Sequence, residues 1–125
     1  MSTTPQPAPS QADHAVHDVV ALLLASMQMA AFEPLPNGPF RLISTPPEWL
    51  RDLVPGIESA PEADLVERFP LLETFLPEAQ EAWQATGSGR PCSEIWAEAH
   101  PGGDDTHLQA WAFNLAGRPI LVMDG

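Results

Sequence analysis

The sequence predicts an α+β protein, an antiparallel sheet covered by helices, and three observations carry this prediction. After the polar residues 1–12, apolar residues recur at helical spacing over residues 13–32. Prolines recur every six to nine residues from Pro55 to Pro77, which leaves room only for short helices between them. Three segments with a period of two then end the sequence, residues 92–100, 106–115 and 119–123.

Composition predicts one domain and excludes two classes of partner. A chain of 125 residues, 44% of them hydrophobic, suits a single core. Its five basic residues are all arginine, and against 17 acidic residues they leave a formal net charge of −12. Nucleic acids and anionic membranes bind through clustered Lys and Arg, so we expect neither as a partner. The acidity serves either solubility or the binding of a basic partner.

The compartment is predicted from the single cysteine and the first 25 residues. Cys92 has no second cysteine with which to form an internal disulfide, which suits a reducing compartment. The apolar run Val19–Ala25 is too short to span a bilayer, and no Lys or Arg precedes it as in a secretory signal. We therefore expect a cytoplasmic protein.

The chain is expected to begin with a tail and a helix before its main domain. Residues 1–12 are polar and proline-rich and predict a flexible tail. Residues 13–36 hold an amphipathic helix, placed at 13–32, which Pro34 and Pro36 end. We expect this helix to pack on the face of the sheet opposite the short helices. It should also pair with a second copy to form a homodimer, through Val16, Val20, Leu23 and Met27.

Residues 37–125 are predicted to form the main domain. A turn at 37–39 precedes a short strand, Phe40–Ser44. Thr45 and Glu48 flank two prolines and predict a capped helix start. The best helix of the middle region is placed at 78–86, with Pro77 opening it and Trp83 on its buried side.

The three C-terminal segments predict an antiparallel meander. A hairpin loop at 101–105 joins the first two strands, and a tighter turn at 116–118 joins the last two. Alternation on 106–115 gives one bulky face and one small face. The bulky face holds His107, Gln109, Trp111, Phe113 and Leu115, and the small face holds Leu108, Ala110, Ala112 and Asn114. Because both faces carry apolar groups, we expect helices on both sides.

An aromatic cluster is the strongest candidate for a ligand site. Trp83, Trp96 and Trp111 are expected to converge between the helix at 78–86 and the sheet, where they either fill the core or line a pocket. The predicted pocket residues are Trp83, Trp96, Trp111, Phe75 and His107.

Other reactive residues are assigned no catalytic or metal role. His14 and His17 stand three apart beside Asp13 and Asp18, which supplies only half a metal site. His100 and His107 flank the hairpin loop. They are interpreted either as a cross-strand surface pair or as zinc or haem ligands. Glu94 and Glu98 share a strand face. They either lie at a solvated edge of the sheet or form an acid–base pair. Cys92 lacks a neighbouring base and is interpreted as inert.

Several motifs resemble a known family. Residues 69–79 have the sequence FPLLETFLPEA, and Trp83, GSGR at 87–90, Ser93, Trp96 and Glu98 follow. PEWL at 47–50, HLQA at 107–110 and GRPIL at 117–121 extend the likeness, which covers about residues 40–123. Together they resemble a divergent PAS-like group found at the front of bacterial sensor kinases and cyclases.

The resemblance implies a five-stranded antiparallel sheet, short helices over one face, and a preceding helix that often mediates dimers. It also implies a non-enzymatic sensory module that binds a small ligand or mediates dimerisation and docking. No flavin-binding cysteine motif and no haem-ligating histidine is recognised, so the cofactor stays unknown. PAS domains usually continue into a linker helix, which this sequence lacks after Met123. We therefore expect the output to pass through a partner such as a histidine kinase or cyclase, or the chain to be a fragment.

Two alternatives remain. One is a small α+β enzyme that uses Glu94, Glu98 or His107 for proton transfer in the aromatic pocket. The other is a haem- or metal-binding sensor that uses His100 or His107. An enclosed carboxylate or imidazole would favour the enzyme.

Overall fold

The computed structural model describes residues 23–24, 26–84 and 90–125. Its strands are β1 (Met29–Pro34), β2 (Phe40–Leu42), β3 (Glu62–Ala63), β4 (Trp96–Glu98), β5 (Thr106–Leu115) and β6 (Arg118–Asp124). Its helices after β2 are α1 (Glu48–Leu53), α2 (Leu65–Arg68) and α3 (Leu71–Gln84). The predicted α+β class with an antiparallel sheet is therefore confirmed.

The sheet has the strand order β3-β2-β1-β6-β5-β4, and every neighbouring pair is antiparallel. The first and last strands lie side by side at its centre, with Ala30 opposite Met123 and Phe32 opposite Leu121. Of the described residues, α1, α2 and α3 lie in the part of the chain between β2 and β4, and a few helical residues also precede β1. The predicted C-terminal meander is confirmed as β4-β5-β6.

The inner face of the sheet carries the core. Its small residues Ala110 and Ala112 are fully buried, which lets α3 pack closely on β5. The Asn114 amide nitrogen donates to the Trp83 carbonyl at 2.9 Å and ties the end of α3 to β5. The buried aromatic residues of this layer are Phe32, Phe40, Trp49, Phe69, Phe75 and Trp96.

The outer face of the sheet, which points away from the core, carries a smaller apolar cluster. Ala31, Ile120 and Val122 are its buried members, and Leu24, Met29, Ile43 and Phe113 pack against them. Leu24 belongs to the helical residues that precede β1. No described helix is long and apolar enough to cross a bilayer.

The predicted helix at 13–32 is wrong over its last residues. Helical structure ends at Ser26, and Gln28 has φ of 61°, which reverses the chain into β1. Residues 29–32 form a strand because Ala30 and Phe32 are fully buried against β6, a pairing that the local spacing does not reveal. Residues 13–22 lie outside the described part of the chain.

Three further boundaries differ from prediction. α3 begins at Leu71, so Pro77 lies inside the helix instead of opening it. Thr45 does not cap α1, whose N-cap is Pro47 without a side-chain hydrogen bond. The predicted strand at 92–100 is shorter, with an isolated bridge at Cys92 and a regular ladder only at β4.

Candidate functional site

The predicted aromatic cluster divides between the two faces of the sheet. Trp83, Trp96 and Phe75 belong to the core on the inner face. Trp111 lies opposite Val122 on the outer face, so it does not converge with the other two tryptophans. The reason is the period of two: Ala110 and Ala112 face the core, and the residue between them faces away.

The indole N–H groups on the inner side are occupied by protein acceptors. Trp83 Nε1 donates to the Ile120 carbonyl at 3.0 Å, and Trp96 Nε1 donates to Glu98 Oε1 at 2.9 Å. Trp49 Nε1 donates to the Gln28 carbonyl at 2.8 Å. These three tryptophans therefore position α3, β4 and α1, and their donors are not directed at a ligand.

His100 and His107 are not a cross-strand pair. His107 is exposed and lies opposite Ala97, whereas His100 follows β4 and contacts α1. His100 Nδ1 accepts from the Gly102 N–H at 3.0 Å, and Nε2 lies 2.8 Å from Asp52 Oδ2. Both ring nitrogens of His100 are thus engaged. Among the described residues no group of three or more His, Cys, Asp and Glu side chains is arranged to hold a metal ion.

The carboxylates considered for proton transfer are separated. Glu98 accepts from Trp96 and lies 3.5 Å from the Arg68 guanidinium. Glu94 is exposed at the rim of a groove, and His107 lines a different, smaller depression. The three candidate residues of the enzyme alternative therefore do not share a pocket.

Two grooves of about 390 Å³ open on the helical side of the molecule. One lies between β2 and the turn after α1 and contains the Arg51–Glu58 pair. The other lies between α3 and residues 92–94, and Phe75 of the predicted pocket contributes to its wall. We call the second one the α3 groove, lined by Leu71, Thr74, Phe75, Glu78, Cys92, Ser93 and Glu94.

Three of the five arginines lie around one end of the outer face. Arg41 and Arg118 both donate to the carboxylate of Glu33, whose side chain is only 14% exposed. These hydrogen bonds, that from Arg118 foremost, hold the pKa of Glu33 below its usual value. The Arg90 guanidinium lies 5.9 Å from the centre of the Phe113 ring. The outer face is therefore apolar at its centre and basic at this end.

The predicted dimer residues are only partly within the described chain. Val16 and Val20 lie outside it, as do His14, His17, Asp13 and Asp18. Leu23 and Met27 are 55% and 62% exposed, although both are large and apolar. Between them, Leu24 contacts the outer face.

Comparison with known proteins leaves the family open. No protein-family model matches the chain, and no curated protein matches it. The resemblance to PAS domains therefore remains a hypothesis from the residues that carry it.

Sequence reasoning missed the arginine cluster and the α3 groove. Arg41, Arg90 and Arg118 are far apart in the sequence, and only strand pairing and the packing on Phe113 bring them together. The groove likewise joins one face of α3 to residues 92–94, which follow the helix in the sequence and share no local pattern with it. The one available signal was the position of Glu78 and Glu94 on either side of the GSGR segment at 87–90.

Proposed function

We propose that the protein is a PAS-like regulatory module that acts by ligand binding and by dimerisation or docking, without catalysis. The proposal is supported by the way in which the helices and the apolar clusters are distributed over the two faces of the sheet. All three helices after β2 cover the inner face, whereas the outer face keeps an apolar cluster next to the helical residues that precede β1. The proposed setting is bacterial cytoplasmic signal transduction, with a histidine kinase or cyclase as partner.

The N-terminal segment is the proposed cover of the outer face. Leu24 already contacts this face, and a helix over residues 13–24 would be about 18 Å long, close to the roughly 20 Å of a six-residue strand such as β1. Residues 1–22 contain Asp13 and Asp18 and no Lys or Arg. An acidic helix start near Arg41, Arg90 and Arg118 would be complementary in charge.

The second copy is proposed to bind the other side of this helix. Consecutive helical residues point about 100° apart, so contact of Leu24 with the sheet leaves Leu23 turned away from it. Leu23 and Met27 are four residues apart, and Val16 and Val20 continue their spacing upstream. Exposed leucine and methionine at such positions favour burial in a homodimer.

A route for the signal runs through the Gln28 carbonyl. This single oxygen accepts from Trp49 Nε1 at 2.8 Å and from the Gly125 N–H at 3.0 Å. Trp49 lies in α1 and is buried in the inner core. A ligand that shifts the inner helices would therefore move the junction between the N-terminal helix and β1, and so bias the dimer.

The dimer is tested with the double variant Leu23→Glu and Met27→Glu. Both side chains are exposed, so the variant should fold, and two carboxylates per copy should disrupt an apolar interface. Sedimentation of the unaltered protein should give about twice the 13.5 kDa of the chain, and that of the double variant one chain mass.

Leu115→Glu is the matched control. Leu115 is 59% exposed and lies at the turn between β5 and β6, at the far end of the sheet from Met29 and Asp124. This variant should remain a dimer. A monomeric unaltered protein, or a double variant that stays dimeric, would refute the proposed interface.

A further inference from the structure

The α3 groove has two preformed walls. Leu71, Thr74, Phe75 and Glu78 lie on one face of α3, since they are spaced three, four and seven residues from the first. The opposite wall is residues 92–94.

Ser93 anchors that opposite wall to β5. Its N–H donates to the Ala110 carbonyl at 2.7 Å, its Oγ accepts from the Ala110 N–H at 2.9 Å, and its carbonyl accepts from Gln109 Nε2 at 3.0 Å. A wall bonded in this way does not have to be ordered when a ligand binds, which favours affinity.

The chemistry of the groove combines an apolar floor with an acidic rim. Phe75 is 5% exposed and Leu71 is half-buried, and together they supply the apolar surface. Glu78 and Glu94 are exposed at the rim, and no arginine lines the groove.

The arginines of the chain are engaged elsewhere in the described structure. Arg41 and Arg118 contact Glu33, Arg51 contacts Glu58, and Arg68 contacts Glu98. Arg90 lies over Phe113 on the outer face. With no lysine in the sequence, the rim of the groove keeps a negative potential.

We propose that the α3 groove binds a small organic cation with an apolar body. The ammonium or guanidinium group would lie between Glu78 and Glu94, and its aliphatic or aromatic part would contact Phe75 and Leu71. A volume of about 390 Å³ suits a small molecule, and the rim repels anions. The inference deepens the ligand-binding part of the proposed function and rests on it for the role of the ligand as a signal.

Cys92 allows the potential of the groove to be measured. It is the single cysteine of the chain, it is exposed, and it lines the groove. The test compares its rates of modification by a cationic and an anionic methanethiosulfonate of similar size, each divided by the rate with free cysteine. At low salt the cationic reagent should be favoured by about five-fold, and the preference should fall at high salt.

The double variant Glu78→Gln and Glu94→Gln should bring this preference close to one. Glu73→Gln is the matched control, since Glu73 is exposed on α3 but does not line the groove, and it should keep the preference. Equal rates in the unaltered protein, or a preference that survives the double variant, would refute the acidic site.

Binding is tested with 2-phenylethylammonium, with 2-phenylethanol as its neutral counterpart and 3-phenylpropionate as its anionic one. The ammonium compound should protect Cys92 from a neutral thiol reagent, several-fold more strongly than the alcohol, and the anion should not protect. The double variant should lose this advantage. Equal protection by the alcohol, or no protection by the ammonium compound, would refute recognition of the cation.

The proposals of groove binding and of dimerisation can be refuted independently of each other. The Leu23→Glu and Met27→Glu protein keeps every residue of the groove, so it should still be protected by the ammonium compound. Loss of protection in that variant would contradict a site contained within one chain. A normal dimer that binds no cation would refute this inference and leave the proposed interface standing.

Discussion

Ala116 has a backbone conformation that is unfavourable for alanine. It has φ of 52°, and Gly117 after it has φ of 87°. Leu115 pairs with Arg118, so these two residues form the whole loop of the β5–β6 hairpin. Positive φ at both positions is typical of a type I′ turn, in which Asn-Gly is the preferred pair. Alanine at the first position therefore stores strain in the longest ladder of the sheet.

Replacing Ala116 with Asn should stabilise the protein by about 0.5–1 kcal/mol. Asparagine tolerates the left-handed region better than alanine, and Ala116 is exposed, so no core contact changes. Urea unfolding followed by circular dichroism measures the change. Ala116→Val, with a β-branched side chain at the same position, should destabilise; a Val variant as stable as the Asn variant would contradict the assigned turn.

At the scale of elements, α3 is a helix with an internal defect. Pro77 is the seventh of its 14 residues and has no N–H to donate to the carbonyl four residues earlier. The helix persists because Leu72, Phe75, Ala79 and Ala82 bury its opposite face against the core. Proline is a strong local signal for a helix start, and the sequence-based prediction therefore began the helix at Pro77. Tertiary packing overrides that signal.

Pro77→Ala should stabilise the protein by about 2 kcal/mol, because it restores a hydrogen bond and removes a steric clash inside the helix. Pro77 is exposed, so no buried contact is lost. Pro70→Ala is the comparison, since Pro70 directly precedes α3, where proline costs little. Thermal unfolding of both variants separates the two positions. An unchanged or lower stability of the Pro77 variant would indicate that the packing requires the defect.

At the scale of the whole molecule, the charges are unevenly distributed. Arg41, Arg90 and Arg118 surround one end of the outer face, whereas the exposed surface of α3 carries Glu73, Glu78 and Glu81. The two sides therefore differ in the charge of the groups they attract, anionic at the basic end of the outer face and cationic at the exposed surface of α3. Glu33 connects β1 to β2 and β6 at the basic end through its two arginines.

Glu33→Gln should lower stability near neutral pH by about 1 kcal/mol, because both of its arginine partners are about half exposed and ion pairs of this kind contribute little each. Because the folded pKa of Glu33 lies below its unfolded value, its contribution is complete above the unfolded pKa and is lost as the pH falls through the folded pKa. The difference in unfolding free energy between the two proteins should therefore be complete at pH 7 and smaller at pH 3, which lies below the ordinary Glu pKa of about 4.3.

Asp104→Asn serves as the control for this pH dependence, because Asp104 is exposed in the loop between β4 and β5 and lies at no helix end. Its unfolding curves should follow those of the unaltered protein at both pH values. A constant difference between the Glu33 variant and the unaltered protein from pH 7 to pH 3 would contradict the ion pairs at this position.

Local patterns were sufficient for the C-terminal half of the sheet. The alternation on 106–115 predicts β5 with its bounds, and the turn residues predict the hairpin that follows, since antiparallel neighbours joined by a short turn need no distant information. The same alternation places Trp111 on the face opposite Ala110 and Ala112. The prediction that three tryptophans converge did not take this into account and was wrong for Trp111. The pocket role of Trp83, Trp96, Trp111, Phe75 and His107 stays a prediction.

The sequence by itself determined the α+β class, the meander at its end and the strongly acidic charge, because each follows from neighbouring residues or from composition. Only the tertiary structure decided that residues 29–32 form a strand, since their burial depends on β6 about 90 residues later, a distance no local period reports. The arginine cluster and the α3 groove arose in the same way. Both are assembled from segments that have no common pattern and become neighbours only when the sheet closes around its core.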